Sequence, residues 1–363
     1  MKNILHVIDT TGPGGAETVF LQLAEATSKS SFNSIALIRG PGWVKDQLHE
    51  MGIHTIVLDC KGSFNLAYLR QVISVIRKHD IDLIQSHLLG SNVYCSIAGL
   101  IKRIPVVATF HGEVDISPKE RFKLLKLAAL RLGAKKIVAV TTRIENILLS
   151  MPLLSASQIT TVQNGIDLSQ YSKITKPKLR STLKLCSNTI LIGAVGNIRK
   201  PKNYPLAIDV IQALHTKNYR CHLAVAGQGN DNQMMPLQEQ VERLGLQTYV
   251  HFLGFTKDIR DFLSSLDLFL MTSSSEGHPL ALTQAMANQL PIISTPSGVE
   301  EIVSNNVSGC ISSSHSAADV ATCIIGLIEN KEKAQFIGNN AAEQAFESYS
   351  IEKMLNRYIE YYV

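Results

Sequence analysis

The chain has 363 residues, a length that predicts two domains, since single hydrophobic cores stop growing at about 250–300 residues. Hydrophobic residues make up 45% and charged residues 18%, which is typical of a folded globular protein and excludes a disordered one. Residues 1–175 carry 19 Lys and Arg against 13 Asp and Glu, whereas the remainder carries 16 against 17. A basic half is compatible with nucleic acid, an anionic membrane surface or a phosphate-bearing substrate, and composition alone does not choose among them.

Several classes of protein are disfavoured by what the sequence lacks. The apolar run that begins at Ile4 is too short for a signal peptide and is interrupted by His6. No run approaches the ~20 apolar residues that span a bilayer. The six cysteines are scattered without a Cys-x-x-Cys pair, which favours reduced thiols in a cytoplasm over a disulfide framework or a metal site. The basic residues are not interleaved with aromatic ones, so we expect no nucleic-acid partner.

The first half alternates short apolar runs with helical patterns. The runs that predict strands are 3–8, 34–38, 55–58, 82–85, 106–109 and 136–140, and helices are predicted at 16–26, 66–78 and 92–101. Strands that alternate with helices predict an α/β, doubly wound parallel sheet. In such a sheet, ligands bind beyond the carboxyl ends of the strands, where the strand order reverses.

A polar, proline-containing segment within 169–188 interrupts this pattern, which then begins again. Strands are predicted at 189–195, 222–226, 250–252, 268–271 and 291–294, and helices at 205–214, 231–244, 259–264, 280–287, 317–329, 331–349 and 351–362. We therefore predict an N-terminal domain at 1–170, a C-terminal domain at 171–348 and a C-terminal helix at 349–363. The pattern does not assign that helix to a domain; one hypothesis is that it crosses back to the first.

Three turns of the first half contain candidate site residues. Gly14, Gly15 and Glu17 lie between the first strand and the first helix, where glycine backbone and a helix N-terminus suit an anion. The spacing is not that of a dinucleotide-binding loop, and an ordinary glycine turn is an equal alternative. His111 follows a strand and suits a sugar hydroxyl or phosphate, although a lone histidine there is more often structural. Asn164 begins an Asn-Gly dipeptide that is typical of a turn.

In the second half, the loop that follows the first strand is basic. Arg199, Lys200 and Lys202 lie within it, after Gly196 and Asn197. A guanidinium fork and an ammonium group suit a diphosphate leaving group. A solvated basic loop is the alternative, and the position at the end of a strand counts against it.

Another polar loop precedes the helix predicted at 280–287. Glu276 lies in it and suits sugar hydroxyls, and the helix that begins near Leu280 presents its N-terminal N–H groups. Gln284 falls on that helix, where a solvated residue and a ligand contact are equally compatible with the sequence. A further turn-rich loop, which includes Gly298 and Glu301, follows the next strand.

In order and spacing, these motifs resemble those of family 4 of the retaining glycosyltransferases, which have the GT-B fold. The family's Gly-Gly-x-Glu, His-Gly and Asn-Gly-Ile-Asp turns correspond here to residues 14–17, 111–112 and 164–167. Its basic diphosphate loop, its paired-glutamate motif and its Gly-x-x-Glu loop correspond to residues 199–202, 276–284 and 298–301. The resemblance runs nearly end to end, and the last two motifs are the specific ones.

The resemblance implies two Rossmann-like domains that face each other across a cleft, the first for an acceptor and the second for a nucleotide diphospho-sugar. Glu276 would orient the donor sugar, with His111 contributing from the first domain. Arg199, Lys202 and the helix N-terminus would neutralise the diphosphate, so that neither a metal nor a cofactor is expected. The further substrate-binding residues that it implies are Gly14, Gly15, Glu17, Asn164, Asn197, Gly277, His278, Pro279, Leu280, Gln284, Gly298 and Glu301.

Two positions depart from the family pattern. Gln284 replaces the second glutamate, which in the family holds the nucleotide ribose; an amide still forms hydrogen bonds, but without charge. Asn197 replaces an arginine, which leaves Arg199 as its substitute. The activity implied is retaining transfer of a hexose or N-acetylhexosamine, with a UDP-sugar favoured, to a hydroxyl of a glycan or lipid-linked acceptor. Capsule or O-antigen synthesis would be the setting.

Residues 117–132 form a cationic, amphipathic helical pattern. Such a helix suits an anionic membrane surface, which would make the protein cytoplasmic and peripheral on the inner face of the cell membrane. An ordinary surface helix is the alternative. Two other functions stay open: a GT-B epimerase or hydrolase, which needs paired carboxylates, and a non-catalytic nucleotide-sugar-binding protein, which the glutamine at 284 suggests.

Overall fold

A computed structural model of the chain describes residues 1–59, 65–116, 120–171 and 178–363. The chain divides into two compact units: unit 1 comprises residues 1–165 and 352–363, and unit 2 comprises residues 166–351. The first division falls after Gly165 rather than after residue 170, and the second after Ile351 rather than after residue 348. Residues 172–177 of the predicted linker lie outside the described residues.

Unit 1 contains a seven-stranded parallel sheet in the order β3-β2-β1-β4-β5-β6-β7. Its strands are β1 Lys2–Ile8, β2 Phe32–Ile38, β3 His54–Val57, β4 Leu83–His87, β5 Val106–Phe110, β6 Lys136–Ala139 and β7 Ile159–Thr161. The helices that follow them in the chain are α1 Gly15–Ser28, α2 Trp43–Glu50, α3 Leu66–Lys78, α4 Leu89–Lys102, α5 Lys123–Gly133 and α6 Thr142–Leu149. Every residue of β4 and β5 is buried, as expected for central strands of a sheet covered on both faces.

Unit 2 contains a six-stranded parallel sheet in the order β10-β9-β8-β11-β12-β13. Its strands are β8 Ile190–Val195, β9 Cys221–Ala226, β10 Val250–Gly254, β11 Leu268–Met271, β12 Ile292–Ser294 and β13 Cys310–Ile311. Its helices are α7 Leu179–Thr182, α8 Tyr204–Thr216, α9 Asp231–Arg243, α10 Ile259–Ser264, α11 Leu280–Ala287, α12 Ala317–Glu329 and α13 Lys331–Ser348. Apolar side chains of the central strands pack with those of α8 and α12 in one core.

The C-terminal helix α14, Ile351–Tyr362, belongs to unit 1 from Glu352 onward. Met354, Tyr358 and Tyr362 are buried, and their spacing of four residues places them on one face of the helix. The Tyr358 hydroxyl lies 3.2 Å from Thr109 Oγ1 on β5. The helix therefore packs as an integral part of unit 1.

Both sheets reverse their winding direction once. In unit 1, β1 pairs with β2 on one side and β4 on the other, and in unit 2, β8 pairs with β9 and β11. Because the chain leaves the central pair in opposite directions, a crevice opens at the carboxyl ends of β1 and β4, and likewise of β8 and β11. The loops of the candidate site follow these strands.

The cationic helix predicted at 117–132 is shorter in the structure, where α5 begins at Lys123. Phe122 at its N-cap has a φ of +57°, in the left-handed region, which interrupts the right-handed helix. Residues 117–119 of the prediction lie outside the described residues. Among the residues that the structure describes, no helix is long and apolar enough to cross a membrane.

Candidate functional site

The basic loop after β8 turns tightly back toward the strand end. Gly196 has a φ of +147°, and a Cβ at this position would lie 2.8 Å from Lys202 Cε. Tyr204 donates a hydrogen bond of 2.6 Å from its hydroxyl to the Gly196 carbonyl, which fixes the turn. The 3-10 helix Lys200–Lys202 then places the Lys202 side chain against Gly196, while Arg199 is exposed. The close approach of the lysine thus depends on a glycine at 196.

Lys202 forms an ion pair with Glu276, which lies in the loop after β11. The Nζ–Oε1 distance is 2.7 Å, and the two side chains are 23% and 11% exposed. Ser273 donates a hydrogen bond to the same carboxylate oxygen at 2.5 Å, and the Glu276 N–H donates to the Ser297 carbonyl at 2.8 Å. Because β8 and β11 are neighbours, residues 74 positions apart meet at the crevice.

The helix that follows Glu276 begins at Leu280, with Pro279 at the N-cap and no side-chain hydrogen bond to its first turn. Its first N–H groups and its partial positive charge suit a negatively charged ligand. The next loop bends at Gly298, whose φ is +95°, and continues into the 3-10 helix Val299–Glu301. Glu301 is exposed there.

Two predicted substrate-binding residues of unit 2 contact other side chains of this unit. His278 is 4% exposed, and its ring meets Tyr349 edge to face with centroids 4.9 Å apart. Burial lowers the pKa of His278 to about 4, so the ring is neutral. The Gln284 side chain lies beside the Tyr171 hydroxyl.

In unit 1, the glycine turn accommodates a buried acid. Gly14 is the N-cap of α1, and Gly15 is the first residue of that helix. A Cβ at Gly14 would lie 2.3 Å from Glu17 Oε2, so the carboxylate rests against the glycine backbone. Glu17 is buried. Asn164, also buried, follows β7, which is an edge strand of the same sheet.

His111 follows β5 and pairs with His87, the last residue of β4. His87 Nδ1 lies 2.8 Å from His111 Nε2, and the two rings are stacked with centroids 5.1 Å apart. Burial lowers the pKa of His111 to about 3 and that of His87 well below its ordinary value. Both imidazoles are therefore neutral, and each carries one N–H.

Two further acids of this site, Asp9 and Asp115, were not among the predicted site residues. Asp115 accepts a hydrogen bond of 2.9 Å from the His111 N–H, and burial raises its pKa to about 6. Burial also raises the pKa of Asp9, whose carboxylate rests against Gly90 in α4. Glu17 and Asp9 both act electrostatically on Asp115. The position of Asp9 directly after a strand was the one sequence signal for this acidic group.

Comparison with known proteins places both halves of the chain in one group of enzymes. Residues 13–170 match the family described as Glycosyltransferase Family 4, and residues 175–344 match Glycosyl transferases group 1. N-acetyl-alpha-D-glucosaminyl L-malate synthase of Bacillus anthracis is 24% identical over 316 residues, which are 85% of this chain and 82% of that protein.

Two further relatives cover nearly the whole chain. The Escherichia coli enzyme UDP-Gal:alpha-D-GlcNAc-diphosphoundecaprenol alpha-1,3-galactosyltransferase is 21% identical over 363 residues, 96% of this chain and 93% of that one. The crystal structure of Anabaena HepE in complex with UDP and glucose superposes with a TM-score of 0.88 at 22% identity, covering 99% of this chain and 98% of that one. Two parallel-sheet Rossmann-like domains and these matches show that the chain belongs to the family 4, group 1 glycosyltransferases and has the GT-B fold.

Proposed function

We propose that this glycosyltransferase moves a hexosyl or N-acetylhexosaminyl group from a UDP-sugar to a hydroxyl of a glycan or lipid-linked acceptor, with retention of anomeric configuration. The observation that carries the proposal is the Lys202–Glu276 pair at the crevice between β8 and β11. A cation for the diphosphate and a carboxylate for the sugar hydroxyls lie within 2.7 Å of each other there.

The proposed chemistry begins with an exchange of partners. Before the donor binds, Glu276 compensates the charge of Lys202. When the diphosphate binds, the Lys202 ammonium turns to its oxygens, and the Glu276 carboxylate becomes free to accept hydrogen bonds from the sugar. As the anomeric C–O bond breaks, negative charge grows on the diphosphate. Lys202, Arg199 and the first N–H groups of α11 stabilise that charge in place of a metal ion.

The acceptor is assigned to unit 1, where His111 donates a hydrogen bond to a substrate oxygen. The acceptor hydroxyl attacks from the face that the leaving group vacates and gives its proton to the departing diphosphate oxygen, which gives retention without a protein nucleophile. Relatives support the choice of substrates: the Escherichia coli enzyme is named for a UDP-sugar and a diphosphoundecaprenol acceptor, and a capsular polysaccharide glycosyltransferase of Staphylococcus aureus is 26% identical over 312 residues. We infer synthesis of a bacterial surface polysaccharide such as capsule or O-antigen.

Lys202→Ala should lower sugar transfer at least ~100-fold, the scale for removing one group that stabilises transition-state charge. Glu276→Ala should lower it about 100-fold as well, because the donor sugar loses the hydrogen bonds that orient it. Transfer is measured with UDP-glucose, UDP-galactose, UDP-N-acetylglucosamine and GDP-mannose, using lipid-linked oligosaccharide as the acceptor. The matched control is Lys217→Ala, which removes an exposed lysine of the same unit at the C-terminal end of α8 and should leave transfer unchanged. Near-wild-type transfer by either site variant would overturn this assignment, whereas release of free sugar without acceptor would indicate a hydrolase.

We further propose that α5 rests on the anionic inner face of the cell membrane. Phe122, Leu124, Leu125 and Leu132 are each 44–66% exposed, whereas Leu127 and Leu130 face the protein core. Arg121 lies over the Phe122 ring at 4.8 Å, next to the exposed leucines. Adjacent apolar and cationic side chains suit the boundary between acyl chains and anionic headgroups.

Replacing Leu124 and Leu125 together by serine should weaken binding to vesicles containing anionic phospholipid about tenfold, because apolar area would no longer leave water. Vesicle flotation at low salt measures the bound fraction. Phe336→Ser is the control, since it removes an exposed apolar side chain from unit 2. Absence of the wild-type chain from the vesicle fraction would remove the membrane proposal.

A further inference from the structure

The His87–His111 pair is one end of a line of hydrogen bonds that begins on α14. Tyr362, near the C-terminus, donates from its hydroxyl to Gln85 Oε1 at 2.9 Å. Gln85 Nε2 lies 3.3 Å from His87 Nε2, and His87 Nδ1 lies 2.8 Å from His111 Nε2. Gln85, His87 and Tyr362 are each at most 1% exposed, so these polar groups depend on one another for partners.

The surroundings of Gln85 fix the orientation of its amide. Its nitrogen lies 3.4 Å from the Ser86 carbonyl oxygen and 3.0 Å from Thr109 Oγ1. A carbonyl oxygen only accepts, so an amide oxygen in that place would face another acceptor. The Tyr362 hydroxyl meanwhile supplies the donor that the amide oxygen needs. The nitrogen of Gln85 therefore faces His87.

This orientation sets the tautomer of both histidines. His87 Nε2 faces an amide donor and must be an acceptor, so the single proton of this neutral ring is on Nδ1. His87 Nδ1–H then donates to His111 Nε2, which leaves the proton of His111 on its own Nδ1. Within the described part of the chain, that buried N–H has no hydrogen-bond acceptor. A buried donor without a partner is unfavourable, and an acceptor on a bound ligand would satisfy it.

We propose that Gln85 and Tyr362 are positioning residues, which hold His111 in its Nδ1–H tautomer so that it donates a hydrogen bond to an oxygen atom of the bound substrate. This inference rests on the proposed function, in which His111 contacts a sugar or acceptor hydroxyl. It goes beyond that function because it assigns a role to two residues, on β4 and on the C-terminal helix, that touch no substrate themselves.

Gln85→Glu should reverse the direction of the hydrogen bonds that join residues 85, 87 and 111, with little change in side-chain shape. An ionised carboxylate at 85 only accepts, so His87 turns its proton to Nε2, His87 Nδ1 accepts from His111 Nε2–H, and His111 Nδ1 loses its proton. Acidification protonates the Glu–His pair and restores the Nδ1–H of His87, whichever partner takes the proton. The groups that face this line are His6 on β1, Tyr358 on α14 and Asp115. Asp115 is common to the wild type and the variant, so the ratio of their kcat values at each pH reports the ionisation of the introduced carboxyl.

The test is long-range ¹H–¹⁵N correlation on the full-length chain with ¹⁵N-labelled histidine, which separates a protonated ring nitrogen from a bare one. At pH 8 we expect His111 to carry its proton on Nδ1 in the wild type and on Nε2 in Gln85→Glu, with reversion in the variant at pH 5.5. Tyr362→Phe should show a population of the second tautomer. Tyr358→Phe is the control on the same helix and should match the wild type.

The same variants should alter turnover of a UDP-sugar, measured as UDP release. We expect the kcat of Gln85→Glu to fall about tenfold at pH 8 and to approach the wild-type value at pH 5.5, with a smaller change in KM. A proton on His111 Nε2 in the wild type would overturn the proposal, even if the variants fail to fold. So would an unchanged tautomer in folded Gln85→Glu at pH 8. Absence of UDP-sugar turnover with the expected tautomers would instead count against the proposed function alone.

Discussion

Gln284 lies on the first turns of α11, at the position where family 4 enzymes have the second glutamate of their pair. In this chain the amide lies beside the Tyr171 hydroxyl. A carboxylate there would accept from the tyrosine and from ribose hydroxyls alike, and hydrogen bonds to an ionised acceptor are about twice as strong as neutral ones. The glutamine therefore preserves the geometry of a ribose contact but supplies no charge.

We expect Gln284→Glu to bind UDP at least as tightly as the wild type, with a gain of up to about tenfold from the charge-assisted hydrogen bond. Isothermal titration calorimetry with UDP measures the change. Gln289→Glu introduces the same charge at an exposed position just after α11 and should leave affinity unchanged. A clear loss of UDP affinity in Gln284→Glu would show that this residue is not part of a ribose contact.

At the scale of elements, α14 completes the packing of unit 1 although it is separated from the rest of that unit by the whole of unit 2. Tyr358 and Tyr362 are among the largest fully buried side chains of the described chain. Their hydroxyls reach β5 and β4 respectively. The packing of unit 1 is therefore completed only after all of unit 2 has been synthesised.

We expect Tyr358→Ala to destabilise unit 1 by about 3–5 kcal/mol, the usual cost of removing a large buried aromatic side chain. Hydrogen exchange should become faster in peptides from β1, β4 and β5 and stay unchanged in peptides from β8 and β11. Glu360→Ala is the matched control, because it removes only an exposed ion pair with Arg357, which contributes little. Equal acceleration of exchange in both units would contradict the assignment of α14 to unit 1.

Elements with strong periodicity were predictable from the sequence. Leu66–Lys78, Leu268–Met271, Leu280–Ala287 and Ala317–Glu329 have the predicted bounds. The elements α2, α6, β7 and β13 were not predicted, since each has at most two buried residues, which are too few to define a period. The start of α5 was predicted too early, because the pattern does not reveal the left-handed backbone at Phe122.

Residues of the candidate site were predictable only where they belong to a motif that is visible in the sequence. Glu276 and Lys202 were singled out from their loops, but their contact depends on β8 and β11 being neighbours. The line from Tyr362 through Gln85 to His111 had no sequence signal, since its first contact joins residues 277 positions apart. Strand order and helix destination determine such contacts, and neither follows from local pattern.

At the scale of the whole molecule, the proposal assigns the donor site to unit 2 and the acceptor site to unit 1. The contacts given above for Lys202 and Glu276 lie within unit 2: the Gly196 turn, Ser273 and the Ser297 carbonyl. The core of that unit is also its own, formed by the strands and helices between Ile190 and Ser348. The charge difference is consistent with this division, since residues 1–175 hold the excess of basic residues and the exposed apolar face of α5.

We therefore expect the fragment 166–351 to fold by itself and to bind UDP with an affinity within about tenfold of the full chain, because tenfold corresponds to only about 1.4 kcal/mol of lost contacts. Thermal unfolding monitors folding, and calorimetry with UDP monitors binding. Lys202→Ala is the control and should weaken UDP binding in the fragment and in the full chain alike. If a folded fragment fails to bind UDP that the full chain binds, the donor site needs residues of unit 1, and the assignment of the nucleotide to unit 2 is wrong.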